Sequence, residues 1–446
     1  MRAFLDTLKN IWKIEDLKQR ILFTLGIIVI YRLGSFVVLP GIDPNQLSAL
    51  DQQTSGGVMG LLNMFSGGAF ANASIFALGI MPYISASIVV QLLGIAVPYF
   101  QRLQREGESG RRKINQITRY LTVGILIIQA PGYLKNLQVQ LPQSAFVTEA
   151  SFFWISSVIV LTAGSMFIMW LGERITDRGI GNGISLIIMI GIIARLPYAL
   201  AAEFISRLEE TGGGLVAFLL EMIILFFVFV ATILLVQGTR KIPVQYAKRI
   251  VGNKQYGGVR QYIPLKVNSA GVMPIIFAQA LMFVPITVAG FSDSEALSGF
   301  AAAFSNITGF WYNFTFATMV ILFTYFYTAI TINPSQMAED MKKNGGFIPG
   351  VKPGRKTVEF LDKIMSRITF PGSIFLALVA IMPSFAMIAG ISNQWAQFYG
   401  GTSLLILVGV VLDTLQQIES HLLMRHYDGL MKTGRIKGRS GGASVI

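Results

Sequence analysis

Few residues in this sequence could carry out covalent chemistry. Cysteine is absent, which excludes disulfides, thiolate metal sites and thiol nucleophiles. The two histidines, His421 and His426, both stand near the C-terminus, so neither a histidine metal site nor a proton relay is expected. No GxxxxGK[ST] pattern is present, so the chain has no phosphate-binding loop of that kind. What remains is charge and polarity in unusual places. Arg32, Glu221 and Asp413 fall inside long apolar runs, where an ionisable residue is a functional candidate by default. Three scattered charges do not form a relay, however, and pairing within a bundle or an interfacial position accounts for them better. Gln91 and Asn268 stand at the ends of two apolar runs. There they can latch one helix to another by a hydrogen bond typically worth well under ~2 kcal/mol. So weak a latch is useful only if the contact has to open.

The elements that must position these residues are membrane helices. The chain of 446 residues is 53% hydrophobic and only 13% charged, about half the charge of an ordinary soluble protein. Repeated apolar runs predict an all-α polytopic membrane protein. Ten transmembrane helices are expected, at about 21–39, 74–96, 119–136, 152–171, 183–201, 215–236, 270–290, 311–332, 370–390 and 402–420. Of the 36 lysines and arginines, 32 fall in the N-terminal segment, the C-terminal tail and alternate loops. The intervening loops 40–72, 291–310 and 391–401 have none. Positive charge is retained inside, so both termini are expected in the cytoplasm and the span number is even. This topology also explains much of the net charge of +13. Residues 1–20 read as a basic amphipathic segment. No small-residue cleavage site follows the first apolar run, as a cleaved signal peptide would require.

Two loops on the basic side are long, 237–268 and 338–369, and each carries seven cations. The first alternates Tyr, Val and Ile around a Gly-Gly pair, which predicts a hairpin. The second, with MKKNGGFIPGVKPGRKT, is broken by Gly and Pro. Topology explains their sign. It does not explain their length, which points to docking of an acidic partner or of RNA phosphate.

The stretch from Gly56 to Leu93 is the most unusual. Its first half, to Ala73, is too short and too rich in Gly, Ala, Ser and Asn to span a bilayer. A half-inserted segment must be buried in protein or line a cavity. It reads as a small movable piece inside a bundle, and an apolar extracytoplasmic loop fits the composition equally. Five spans precede Thr211–Gly214 and five follow, so two halves of opposite orientation, 21–201 and 215–420, are possible about a hinge at 202–214.

Six segments in order carry a family resemblance: LGIMPYISASIVVQLL (78–93), REGESGRRKINQITRY (105–120), GERITDRGIGNGISLII (172–188), PLKVNSAGVMPIIFAQA (264–280) after YAKR, GGFIPGVKPG (345–354) and FYGGTSLLILV (398–408). Together they resemble the SecY family, the large channel-forming subunit of the bacterial protein-conducting translocon, over essentially the whole chain. The resemblance implies two pseudo-symmetric five-helix halves around a central hourglass pore. It makes Gly56–Ala73 a plug, with Leu61, Leu62, Met64, Phe65, Gly67 and Gly68. It makes Ile84, Ile88, Ile184, Ile188, Ile276 and Ile406 an aliphatic pore ring. The i, i+4 pairs can share one helix face, and an apolar constriction excludes ions by dewetting. It places Gln91 and Asn268 at a lateral gate between spans 2–3 and 7–8. It implies SecE and SecG subunits, the ATPase SecA, the ribosome, secretory and membrane polypeptides, membrane lipids, and accessory Sec and insertase proteins as partners. The docking residues would be Arg240, Lys248, Arg249, Lys352 and Arg355. The family usually has Arg-Pro-Gly where this chain has Lys352-Pro-Gly, so either Lys352 or Arg355 would serve. Lysine keeps the charge but not the planar fork. No catalytic residue, metal or cofactor is expected, and the compartment would be the bacterial inner membrane. The tail 421–446 receives no role. A small-solute transporter would place polar groups at mid-membrane where the resemblance puts isoleucine. An intramembrane enzyme would need a nucleophile–base pair or metal cluster that the sequence does not offer.

Overall fold

The computed structural model describes residues 14–47, 60, 63–208, 214–246, 249–251, 254–256, 260–289 and 306–432. The expected plug residues Leu61 and Leu62, the docking residue Lys248, residues 1–13, the hinge residues 209–213 and the tail beyond 432 lie outside these.

Ten helices of sixteen residues or more occur among the described residues, one for each expected span. They are α1 (Glu15–Gly34), α2 (Met81–Ala96), α4 (Glu108–Gln140), α5 (Ala150–Arg178), α6 (Gly183–Leu208), α7 (Gly214–Gln237), α8 (Met273–Ala289), α9 (Phe310–Thr331), α11 (Arg355–Ile388) and α13 (Gly401–Lys432). Shorter helices are α3 (Pro98–Arg105), α10 (Pro334–Lys343) and α12 (Asn393–Ala396). Six of the ten are by themselves long and apolar enough to cross a bilayer. A seventh candidate is α2 joined to α3, bent by 100° between Gly94 and Pro98. α1 falls short because Glu15, Asp16, Lys18, Arg20 and Arg32 lie within it, and α8 because it has 17 residues. α7 buries little beyond Glu221, Leu225 and Thr232 and presents an apolar surface outward.

Three boundaries differ from the sequence expectation. The second span starts at Met81, not near 74, because Ser74 is held in a bridge and the chain from there to Ile80 runs in turns. Leu39 N–H donates to Ala73 O at 2.9 Å and Ile75 N–H to Val37 O at 2.9 Å, closing a bridge between Val38 and Ser74. Pro82 then opens the helix, where a missing N–H costs nothing. The same bridge ends α1 at Gly34 instead of 39. The loop expected at 338–369 is mostly helical. Asn333 caps α10, its Oδ1 accepting from Ser335 N–H and Gln336 N–H, and α11 already begins at Arg355. Charged residues at helix ends extend the spans beyond the apolar runs. Prolines 131, 197, 371 and 383 sit inside long helices, as neighbouring helices permit in membranes.

The first basic loop forms the expected hairpin. Strand β1 (Thr239–Tyr246) pairs antiparallel with β4 (Arg260–Lys266), in register from Thr239 opposite Lys266 to Gln245 opposite Arg260. Between them β2 (Arg249–Val251) pairs with β3 (Lys254–Tyr256). The second basic loop joins the same sheet through β5 (Gly346–Phe347), so the strand order is β4-β1-β5. Ile242, Val244 and Leu265 pack with Met341, Ile348, Leu361 and Met365 beneath it. The two basic loops are therefore one platform with its own core, which the sequence treats as two separate runs.

Candidate functional site: a plugged apolar constriction

Four of the six ring isoleucines converge. Ile84 on α2, Ile188 on α6, Ile276 on α8 and Ile406 on α13 enclose one cavity with Met81, Gln279 and Phe65 of the plug segment. Its volume is about 10 Å³, at the lower limit for a single water. Gln279 is turned to Thr402, whose Oγ1 donates to its Oε1 at 3.1 Å, so the lining presents little free polarity. Ile88 is buried in the same core but does not line this cavity. Ile184 lies elsewhere: a Cβ on Gly172 of α5 would stand 3.0 Å from its Cγ1. The constriction is thus built from four helices, two from each half of the chain.

The plug segment is held by its backbone. Asn63–Phe65 form one helical turn, followed by irregular turns to Ile80. Tyr31 OH donates to Ser66 O at 3.2 Å, Arg32 Nη1 to Gly67 O at 2.9 Å and Tyr133 OH to Phe70 O at 2.9 Å. Inside the segment, Asn63 Oδ1 accepts from Ala71 N–H and Ser66 Oγ from Phe70 N–H, both at 3.0 Å. Gly67 and Gly68 have φ of +65° and +93°, a region that only glycine enters freely. Gly67 also meets Gly191 of α6 backbone to backbone. A Cβ on Gly191 would lie 2.8 Å from Phe65 O and 3.1 Å from Gly67 N. Met64 is buried, and Arg195 of α6 stands against Gly68.

Of the three charges within apolar runs, Arg32 is therefore a plug contact. Glu221 is buried and pairs with Arg207, and Asp413 is exposed. Gln91 does reach another span, but its partner is Tyr327 of α9, whose OH donates to Gln91 Oε1 at 3.1 Å. Phe277 of α8 packs edge-on against Tyr327 at 5.5 Å. Asn268 is buried and its Oδ1 has no hydrogen-bond partner. Among the described residues one neutral hydrogen bond, worth about 0.5–1.5 kcal/mol, joins α2 to α9.

On the platform, Arg240, Lys352 and Arg355 are exposed. Lys352 is fixed through its carbonyl, which accepts from Thr357 Oγ1 at 3.0 Å, leaving the ammonium outward. Glu359, held below its usual carboxylate range by the hydrogen bond from Lys356, also faces Arg355 at 3.6 Å. Arg249 lies on β2 opposite Tyr256.

Tyr31, Tyr133, Gly191 and Tyr327 escaped the sequence reading. A tyrosine in a span has an apolar body and a polar tip that seeks a partner, and a glycine in a span marks close approach. Neither signal says which backbone will be met.

A bundle of apolar helices around a constriction of four isoleucines has the make-up of a membrane channel. The family model described as SecY matches residues 74–415. The protein translocase subunit SecY of Streptomyces griseus is 46% identical over 438 residues, covering 94% of this chain and 98% of the relative. The SecY subunit of Mycobacterium bovis is 40% identical over 454 residues, covering 97% and 100%. Among solved structures, one described as a protein conducting channel aligns over 90% of this chain and 92% of its own, with a TM-score of 0.60 at 16% identity. A SecY structure described by its plug domain aligns with a TM-score of 0.63 at 18% identity, over the same shares. This chain belongs to the SecY family, and its fold is that of the SecY and Sec61 channels.

Proposed function

We propose that this chain conducts unfolded secretory polypeptides across the bacterial inner membrane and releases apolar segments sideways into lipid. The observation that carries the reading is the cavity of about 10 Å³ enclosed by four isoleucines from four helices and Phe65 of the plug. A constriction of this kind has no charge with which to hold a solute or a passing peptide. It closes to water when empty and moulds to whatever side chains fill it. Four separate helices can part by small movements, so the aperture adapts to the chain inside it. The plug must leave first. Among the described residues its anchors are four hydrogen bonds to its carbonyls, the fourth from Leu39 N–H to Ala73 O, and one glycine–glycine contact, each modest and each reversible.

The lateral exit runs between α2–α4 and α8–α9. The Gln91–Tyr327 bond closes it on the α2–α9 side, and an apolar segment that packs there in its place loses little. Asn268, buried without a partner at Oδ1, marks the same seam as polar and ready to pair differently. Ile88 is buried in the core beside the ring. In this reading α1–α6 and α7–α13 are two pseudo-symmetric halves, both termini are cytoplasmic, and the chain performs no catalytic step.

Driving force comes from a partner on the platform β4-β1-β5, whose tip carries Arg249. Two of the similar folds are a canine Sec61 in a ribosome–channel complex and a yeast Ssh1 complex bound to the 80S ribosome. That supports a ribosome or the ATPase SecA at this surface, with SecE and SecG as companion subunits. Arg249→Glu tests it. The assembled variant is expected to lose about tenfold or more in SecA- or ribosome-driven transport, as when one buried charge pair worth ~1.4 kcal/mol or more is reversed. Membrane level and ion tightness should stay at the parent's. Normal driven transport by this variant would remove the docking role.

A further inference from the structure

We infer that Glu203, Arg207 and Glu221 form a buried clasp that positions the wall of the plug cavity; the inference rests on the channel reading above. Glu203 and Arg207 stand on α6 and Glu221 on α7, so the clasp joins the two halves. Glu203 is 1% exposed and Glu221 6%. Arg207 Nε lies 2.8 Å from Glu203 Oε1, and its Nη2 lies 2.5 Å from Glu221 Oε1. The same Nη2 donates to Gly390 O at 2.8 Å, and Glu203 Oε2 accepts from Ser392 N–H at 3.0 Å. Tyr399 OH donates to the backbone oxygen of Glu221 at 2.8 Å.

These contacts share one target. Gly390, Ser392 and Tyr399 belong to the segment between α11 and α13, so this segment is pinned at both ends. Between the pins lie Gln394, Gln397 and Phe398. They line a cavity of about 30 Å³ together with Gly60, Asn63 and Met64 of the plug segment. The clasp therefore fixes the backbone that faces the plug. Replacing a buried ion cluster by apolar packing is often neutral or stabilising. What this one supplies is geometry: a forked guanidinium and a carboxylate set the position of two backbone groups, Gly390 O and Ser392 N–H.

The test uses the complete assembly with its companion subunits in vesicles. In the first variant Glu203→Gln, Arg207→Met and Glu221→Gln are combined, which removes the charges together and leaves none unpaired. In the second, Ser392→Pro deletes the single N–H donor and leaves the three side chains intact. The φ of −58° at Ser392 suits proline. Both are expected to raise resting ion leak, the first by about tenfold. Thiol bridging between Asn63→Cys and Gln394→Cys should fall in both, which a merely destabilised protein with an intact wall would not show. Unchanged leak and unchanged bridging in both variants overturn the clasp. A variant with residues 60–68 deleted separates the two levels. If it leaks and the clasp variants do not, only the clasp falls; if it is as tight as the parent, the plugged-channel reading falls.

Discussion

Replacing Ile84, Ile188, Ile276 and Ile406 together by serine will make the resting channel conduct ions. The four side chains line one cavity of about 10 Å³ and supply most of its wall. Water stays out of such a space because an apolar wall offers no hydrogen bond in return. Each serine removes apolar surface worth about 1–2 kcal/mol in hydration cost and adds a hydroxyl that water can use. A fall of only ~1.4 kcal/mol in the wetting barrier is tenfold in rate. Four changes at one constriction should therefore raise single-channel leak by about a hundredfold or more. Ion flux from vesicles holding the complete assembly measures it. Changing Ile184, which packs toward Gly172 and away from the cavity, should do much less. Equal tightness of parent and four-serine variant would put the constriction elsewhere.

Gly191→Leu will unseat the plug without weakening the helix that carries it. Glycine inside a helix normally costs about 1 kcal/mol relative to a good helix former, so the substitution should favour α6 itself. Against that stands the backbone of the plug. The new Cβ would stand 2.8 Å from Phe65 O and 3.1 Å from Gly67 N, and backbone atoms cannot swing aside as a side-chain tip can. Gly67 can retreat only by giving up the hydrogen bond that Arg32 makes to its carbonyl. The plug must lift. A loss of about 2–3 kcal/mol at this contact corresponds to roughly 30–150-fold in the displaced population. The expected signature is an ion leak that rises strongly while the melting temperature holds or increases. A fall in melting temperature with no leak would mean that α6, not the plug, had yielded.

Much of this molecule was legible in its sequence, for physical reasons. Apolar runs must produce long apolar helices, and the ten long helices among the described residues overlap the ten runs, six of them long and apolar enough by themselves to cross a bilayer. The segment 56–73 was legible as an anomaly: a stretch too short and too small-residue-rich for a span yet beside one. The four-isoleucine wall was legible only through the family resemblance. Periodicity places Ile84 and Ile88 on one face but does not say whether that face meets lipid, core or pore. The start of α2 was misjudged because hydropathy does not register that Val37–Leu39 pairs with Ala73–Ile75. The partner of Gln91 was not legible for a related reason. Hydrogen-bond partners 236 residues apart leave no local trace, and Tyr327 looked like one more aromatic in an aromatic-rich span. The joining of two basic loops into one sheet by the two-residue β5 is likewise below any sequence signal.

The most direct measurement is crosslinking to a stalled substrate. The chain contains no cysteine, so one placed at Ile276→Cys reports without background. A secretory polypeptide with a single cysteine is arrested during transport through the complete assembly, and thiol bridging is scored with the driving partner present and absent. Bridging that appears only during transport places the polypeptide between the four isoleucines, as the channel account predicts. A stalled polypeptide shown to be inserted, yet never bridged at this position, would mean that it passes by another route, and the account would be wrong at its centre.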